Sequence, residues 1–321
     1  MRSMESRSST HVEAASRALF VRVSKRNEQI ILPLNASAAG AEFHKPAVYC
    51  VHSITGAGGT DFLPLARRLS EDVRVFGVQA PVARMQDPAF GASIASLAAV
   101  YAGAIAEAPP PAALVLAGWS AGAVIAVEIA HQLRARGRDV ALLVAFDGAP
   151  ENPRAGWRRW DPRYVAAVLA RLPGWWRDTR AMERRFQTSA VQRLGSVMRR
   201  LRRAALLRRP EPVALRGVPD LERYPAVQRQ FMTRLGAALR AYTPRTWDGP
   251  VLVYEARITP ATRLPQYLAR WRAAAPRAQG VELDGNHFTI MREPRVAALG
   301  SDLRARILAA EGVQRDAAAL S

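Results

Sequence analysis

Apolar runs alternate with segments of helical periodicity through most of the chain. Residues 114–117 (Leu-Val-Leu-Ala) form a short run with a β-branched member, and residues 47–52, 73–78, 140–146, 251–256 and 280–283 have a similar character. Runs apolar at successive positions fit strands covered on both faces. Between them lie helical patterns: Phe62, Leu65 and Leu69, with Asp61 as the expected N-cap; residues 93–107, stopped by Pro109-Pro110-Pro111; Ile125, Ile129 and Leu133 within 123–133; residues 264–275; and residues 294–310. Residues 17–23 and 30–34 predict an N-terminal hairpin or edge strands about Asn27-Glu28, and residues 79–82 predict a loop. Strands alternating with helices through short links predict an α/β fold with a mostly parallel sheet covered on both sides.

One stretch breaks this alternation. Between Asp147 and Pro250 the patterns are helical only, over 162–172, 181–207 and 225–241, and Trp157, Trp160, Trp175 and Trp176 cluster at the entrance. A helical insertion between two core strands predicts a lid over the carboxyl edge of the sheet, at about 151–245. The reading is therefore a disordered lead, 1–16, followed by a single α/β domain, 17–321, that carries this lid.

Composition narrows the class. A chain of 321 residues with 49% hydrophobic and 23% charged residues is globular. Cys50, in an apolar run, excludes a disulfide framework and reads as a buried, inert thiol. No apolar signal-peptide core follows Met1, and the longest apolar run is interrupted by glycines and Glu128, so neither a signal peptide nor a membrane span is expected. The cytoplasm is the default location. The formal net charge is +19, and residues 151–245 hold 22 arginines against seven acidic residues. A segment so basic suits nucleic acid, a membrane surface or an acidic protein partner.

The chemistry starts at Gly118-Trp119-Ser120-Ala121-Gly122, a G-x-S-x-G between a predicted strand and a predicted helix. Such a turn lifts a serine hydroxyl to the top of a parallel sheet, so Ser120 is the candidate nucleophile. It needs a base, and the base needs a carboxylate. Of the five histidines, His11 and His44 lie in the lead and its linker, His131 follows the elbow helix at an expected surface position, and His52 ends the first strand, where it is a candidate to line the site. His287, in Asp284-Gly285-Asn286-His287-Phe288-Thr289 between the last strand and last helix, holds the place of the base. For the acid, the loop after 251–256 reads Arg257-Ile258-Thr259-Pro260 and offers no carboxylate, whereas the loop after 140–146 begins with Asp147; Asp284 is the second choice. Thr55-Gly56-Ala57-Gly58-Gly59 fails as a dinucleotide site, with Asp61 where a glycine is needed and Gln79-Ala80 where an acid is needed. Its glycines instead suit a loop whose main chain, at Ile54, joins the N–H of Ala121 as an oxyanion donor. No resident cofactor or metal is expected.

Taken together, Ile31-Leu-Pro-Leu-Asn35, Val48-Tyr-Cys-Val-His-Ser53, Val75-Phe-Gly-Val-Gln79, Gly118-Trp-Ser-Ala-Gly122, Ala126-Val-Glu-Ile-Ala130 and Gly285-Asn-His-Phe-Thr-Ile-Met291 make the chain resemble the thioesterase domains that terminate polyketide and nonribosomal-peptide assembly lines. The resemblance implies an α/β-hydrolase fold and release of an acyl chain, by hydrolysis or cyclisation, from the phosphopantetheine arm of an acyl or peptidyl carrier protein. It also implies an acyl-enzyme on Ser120. In the chain-releasing type the acid follows the strand after the elbow helix, as Asp147 does. Ala123 departs from the family, where a second glycine is common, and the short lead after Met1 suggests a separate enzyme. Carriers of this class are acidic, which gives the arginine-rich lid a docking role. Two other readings compete: a lipase-like carboxylester hydrolase, and a basic protein on an inactive hydrolase scaffold whose residues 199–209 grip nucleic-acid phosphates. The intact triad disfavours the last, and no nucleic acid is expected.

Overall fold

The computed structural model describes residues 29–40, 42–57, 60–69, 72–150, 221, 224–258 and 267–319. The lead, residues 17–23, the helical patterns at 162–172 and 181–207, the four tryptophans and most of the expected lid lie outside the described residues.

Seven strands form one sheet: β1 (Ile31–Pro33), β2 (Ala47–Val51), β3 (Arg74–Val78), β4 (Leu114–Trp119), β5 (Leu142–Phe146), β6 (Val251–Ile258) and β7 (Ala278–Asn286). Their order is β1-β3-β2-β4-β5-β6-β7, with β1 antiparallel to β3 and every other neighbour parallel. Residues 30–34 thus supply an edge strand, paired Ile31 to Val78. The chain moves outward from β2 to β3, then returns to lay β4 on the other side of β2. This reversal makes a topological switch point at the carboxyl ends of β2 and β4, the place where open α/β sheets bind ligands.

The buried strands serve both faces by the two-residue period of extended chain. Tyr49, Val51, Leu114, Leu116, Leu143, Ala145, Val251 and Val253 enter one core layer. It is covered by the helices α4 (Ile94–Ala106), α5 (Ala121–Arg134), α6 (Ala226–Ala241) and α7 (Tyr267–Ala274). The alternate residues Val48, Cys50, Val115, Ala117, Val144, Phe146, Leu252 and Tyr254 enter the second layer. There Leu65 of α2 (Leu63–Arg68) and Leu299, Leu303 and Ile307 of α8 (Arg295–Ala319) pack on them. Two short helices complete the described α-helices, α1 (Ala36–Ala39) and α3 (Val82–Met85).

Several local expectations are corrected. Asp61 does not cap α2: Phe62 holds the N-cap position with no side-chain hydrogen bond, and a proline occupies the first turn, where a missing N–H costs nothing. Asp61 lies in a 3-10 turn, Thr60–Phe62, where burial raises its carboxyl to about 6 despite the opposing charge of Arg292. The stretch 79–82 is not wholly a loop, because α3 starts at Val82; one turn is too short for periodicity to register. Helix α5 begins at Ala121, two residues before its apolar pattern, and α8 continues to Ala319, past a pattern that ends at 310. Among the described residues no helix is long and apolar enough to cross a membrane.

Candidate active site

Ser120 is the single residue between β4 and α5. Its backbone has φ 57° and ψ −116°, outside the regions an L-residue ordinarily occupies, which costs on the order of 1–3 kcal/mol and persists only where the surroundings impose it. Three close backbone approaches impose it here. A Cβ on Gly118 would lie 2.2 Å from the Gly122 carbonyl, one on Gly122 would lie 2.3 Å from Val51 O, and one on Gly148 would lie 2.2 Å from Ser120 O. Only glycine fits these crossings. The Ser120 N–H donates to Phe146 O at 2.9 Å, tying the turn to the end of β5.

Asp147 follows directly from β5 and is 2% exposed. Its φ of 46° lies in the left-handed region, which Asp tolerates better than most residues. Its N–H donates to Tyr254 O at 2.8 Å, and Oδ1 accepts from the Ala256 N–H at 2.9 Å, both on β6. The carboxylate is therefore held in one orientation, with Oδ2 facing His287 Nδ1 at 2.7 Å. An ionised carboxylate only accepts, so Nδ1 carries the ring proton and Nε2 is left with its lone pair. Asp284, the second carboxylate considered, is an exposed residue of β7 that faces Arg295 at 3.5 Å.

His287 sits in the turn after β7. Asn286 shapes that turn: its Oδ1 accepts from the N–H groups of Phe288 at 2.8 Å and Thr289 at 3.1 Å, while its own N–H donates to Thr289 Oγ1 at 2.8 Å. Trp119 contributes from the other side. Its indole N–H donates to His287 O at 3.1 Å, and its ring lies 5.3 Å from the imidazole, centroid to centroid. Trp119 was legible in the motif only as a variable position; its hold on the histidine loop follows from the fold.

The N–H of Ala121 is the first of α5 and has no acceptor within the helix. Ile54 lies in the turn after β2, closed by Gly56 N donating to Ser53 O at 3.2 Å. Helix α6 seats on this turn. Gln228 Nε2 donates to Thr55 O at 2.8 Å, Met232 packs against Ile54, and Phe231 fills the space beside Gly56. Sequence periodicity located α6 but not this contact.

The other histidines fall elsewhere. His52 does not line an opening: it is fully buried, with Nε2 2.6 Å from Tyr101 Oη and Nδ1 2.6 Å from Ser53 O. His131 is partly buried rather than on the surface, set edge-on to Trp247 with Nε2 3.4 Å from Arg245 O. Cys50 is buried, and burial pushes its thiol well above the usual range. Among the described residues no cluster of His, Cys, Asp and Glu has the makings of a metal site.

Comparison with known proteins bears on the fold and the family. The chondramide synthase cmdD of Chondromyces crocatus is 28% identical over 270 residues, which is 76% of this chain and 6% of the synthase. The non-reducing polyketide synthase atnG of Arthrinium sp is 39% identical over 92 residues, 27% of this chain and 4% of the synthase. The chain thus spans only a small fraction of the length of these curated relatives. Among solved structures, the NocB thioesterase domain in covalent complex with a fluorophosphonate nocardicin G analogue has a similar fold, with a TM-score of 0.51 at 22% identity over 87% of this chain and 99% of that one. The family model described as Thioesterase domain matches residues 46–306, from the start of β2 into α8. The chain, with its mostly parallel sheet and helix-covered faces, belongs to the thioesterase domain family of the α/β-hydrolase fold.

Proposed function

We propose that this hydrolase is a serine thioesterase that releases an acyl, polyketide or peptidyl chain from the phosphopantetheine arm of a carrier protein. The observation that carries the reading is the 2.7 Å pair of His287 Nδ1 and buried Asp147 Oδ2, at the same sheet edge as the strained Ser120. In this scheme His287 Nε2 takes the Ser120 proton as Oγ attacks the thioester carbonyl carbon. The carbonyl oxygen becomes negative and is held by the N–H groups of Ile54 and Ala121. The C–S bond then breaks, the thiol leaves with the proton from His287, and the acyl group remains esterified to Ser120. Water or a nucleophile within the acyl chain repeats the sequence from the other side and regenerates the serine. Asp147 holds the tautomer and stabilises the imidazolium. Its position after β5 favours the chain-releasing type.

The proposed partner is an acidic acyl or peptidyl carrier protein, attracted by the arginine-rich segment 151–245. Such attraction raises association rate more than affinity and is screened by salt. Intact-mass analysis after mixing with an acyl-loaded carrier is expected to show an acyl adduct in the wild type and none in Ser120→Ala. Equal adduct in both rules out Ser120. Turnover of a soluble thioester against its oxygen ester separates this activity from that of a carboxylester hydrolase, and a clear oxygen-ester preference sinks the thioesterase assignment.

A further inference from the structure

We infer that His52 is a positioning residue for the oxyanion site: with Tyr101 it fixes the Ser53–Ile54 peptide, and thereby the direction of the Ile54 N–H. The inference rests on the proposed role of Ile54 as an oxyanion donor. His52 and Tyr101 are both fully buried. A carbonyl oxygen only accepts, so the 2.6 Å contact between Nδ1 and Ser53 O puts the ring proton on Nδ1. Nε2 is then bare and accepts from the Tyr101 hydroxyl, also at 2.6 Å. Burial lowers the histidine to about 4 and raises the tyrosine, so both stay neutral near pH 7 and each keeps its single role.

The consequence lies in peptide geometry. Ser53 O and Ile54 N belong to one planar unit, and the cis bond among the described residues is elsewhere, at Glu293–Pro294. In a trans peptide the N–H points opposite to the carbonyl, so anchoring one aims the other. Ser53 O also accepts from Gly56 N at 3.2 Å, and the two donors together leave the peptide little freedom to rotate. The base of the loop is pressed on the elbow, since a Cβ on Gly122 would lie 2.5 Å from His52 O. A chain of hydrogen bonds thus runs from the middle of α4, through the histidine, to the peptide beside the first turn of α5. The side chain after β2 thus donates at one nitrogen, toward the Ser53 carbonyl, and accepts at the other.

The test uses the whole chain labelled with 15N-isoleucine, the Ile54 resonance being assigned by Ile54→Val, and a fluorophosphonate that places a P–O⁻ group on Ser120. In the wild type the Ile54 amide proton is expected to move downfield on phosphonylation. If it does not move, Ile54 is not an oxyanion donor, and that reading fails whatever His52 does. In His52→Leu the shift is expected to be lost, and kcat for an N-acetylcysteamine thioester to fall about tenfold to hundredfold with KM unchanged, somewhat less than deletion of an oxyanion donor. His52→Asn, whose amide nitrogen occupies the place of Nδ1, recovers most of kcat; His52→Gln, which reaches toward Tyr101 instead, does not. A wild-type Ile54 shift together with near wild-type kcat in His52→Leu overturns the inference, as does equal recovery by Asn and Gln. Where His52→Leu fails to fold, Tyr101→Phe tests the same chain, with a smaller fall in kcat at unchanged KM expected and an unchanged kcat overturning it.

Discussion

Replacing Asp147 by Asn changes one atom, and the surroundings determine how the new amide sits. The Ala256 N–H donates to Oδ1 at 2.9 Å, so the oxygen of Asn stays on that side and the NH₂ group faces His287 Nδ1, which lies 2.7 Å from the present Oδ2. The flipped amide would set two buried donors against each other, at a cost of about 1–3 kcal/mol. Facing a donor, Nδ1 must give up its proton, and the ring proton moves to Nε2. The histidine then has no lone pair to offer Ser120. The expected loss in kcat is about 10³- to 10⁴-fold, or ~4–5.4 kcal/mol of transition-state stabilisation. Stability should change by less than about 1 kcal/mol, because Asn tolerates the φ of 46° and keeps the bond from Ala256. Thiol release from a soluble acyl thioester gives kcat, and urea unfolding gives stability. A variant that keeps kcat within about tenfold of the wild type refutes the tautomer argument and passes the acid role to another residue.

Three further outcomes follow from the same geometry. Gly148→Ala places a methyl 2.2 Å from Ser120 O, so the elbow must shift; unfolding free energy should drop by about 1–3 kcal/mol and turnover should fall with it, whereas a silent substitution would mean the crossing is not that tight. Phe231→Ala empties a fully buried ring site against Phe90, His52 and Gly56, and should cost about 3–5 kcal/mol in urea unfolding; a loss well under that range would show that α6 is not packed on the loop. Asp61, raised to about 6 when folded against about 3.9 when unfolded, keeps a proton in the folded state that the unfolded chain has released, so its contribution falls as pH rises through that window. Asp61→Asn should therefore gain stability over the wild type at about pH 8 and lose that gain near about pH 4; an equal difference at both ends would show that the buried carboxyl is not the cause.

What the sequence by itself determined is local. Strand positions follow from apolar runs and from the two-residue alternation that sends Val48 and Tyr49 to opposite core layers. The elbow follows from two glycines spaced about one serine, and the histidine from its place between the last strand and last helix. Each signal is contained within a few residues, which is why α1 and α3, one turn each, escaped it. Which carboxylate faces His287 was not local. Asp284 stands three residues away but in β7 it faces Arg295, while Asp147, 140 residues away, reaches the imidazole because β5 and β7 flank β6 in the sheet. The same holds for the indole of Trp119 on the histidine loop, for Gly148 against Ser120, and for the inward turn of His52 toward Tyr101 on α4. Strand order and helix placement decide those contacts, and they arise from burying both faces of one sheet at once, a constraint spread over the chain rather than written in any one segment.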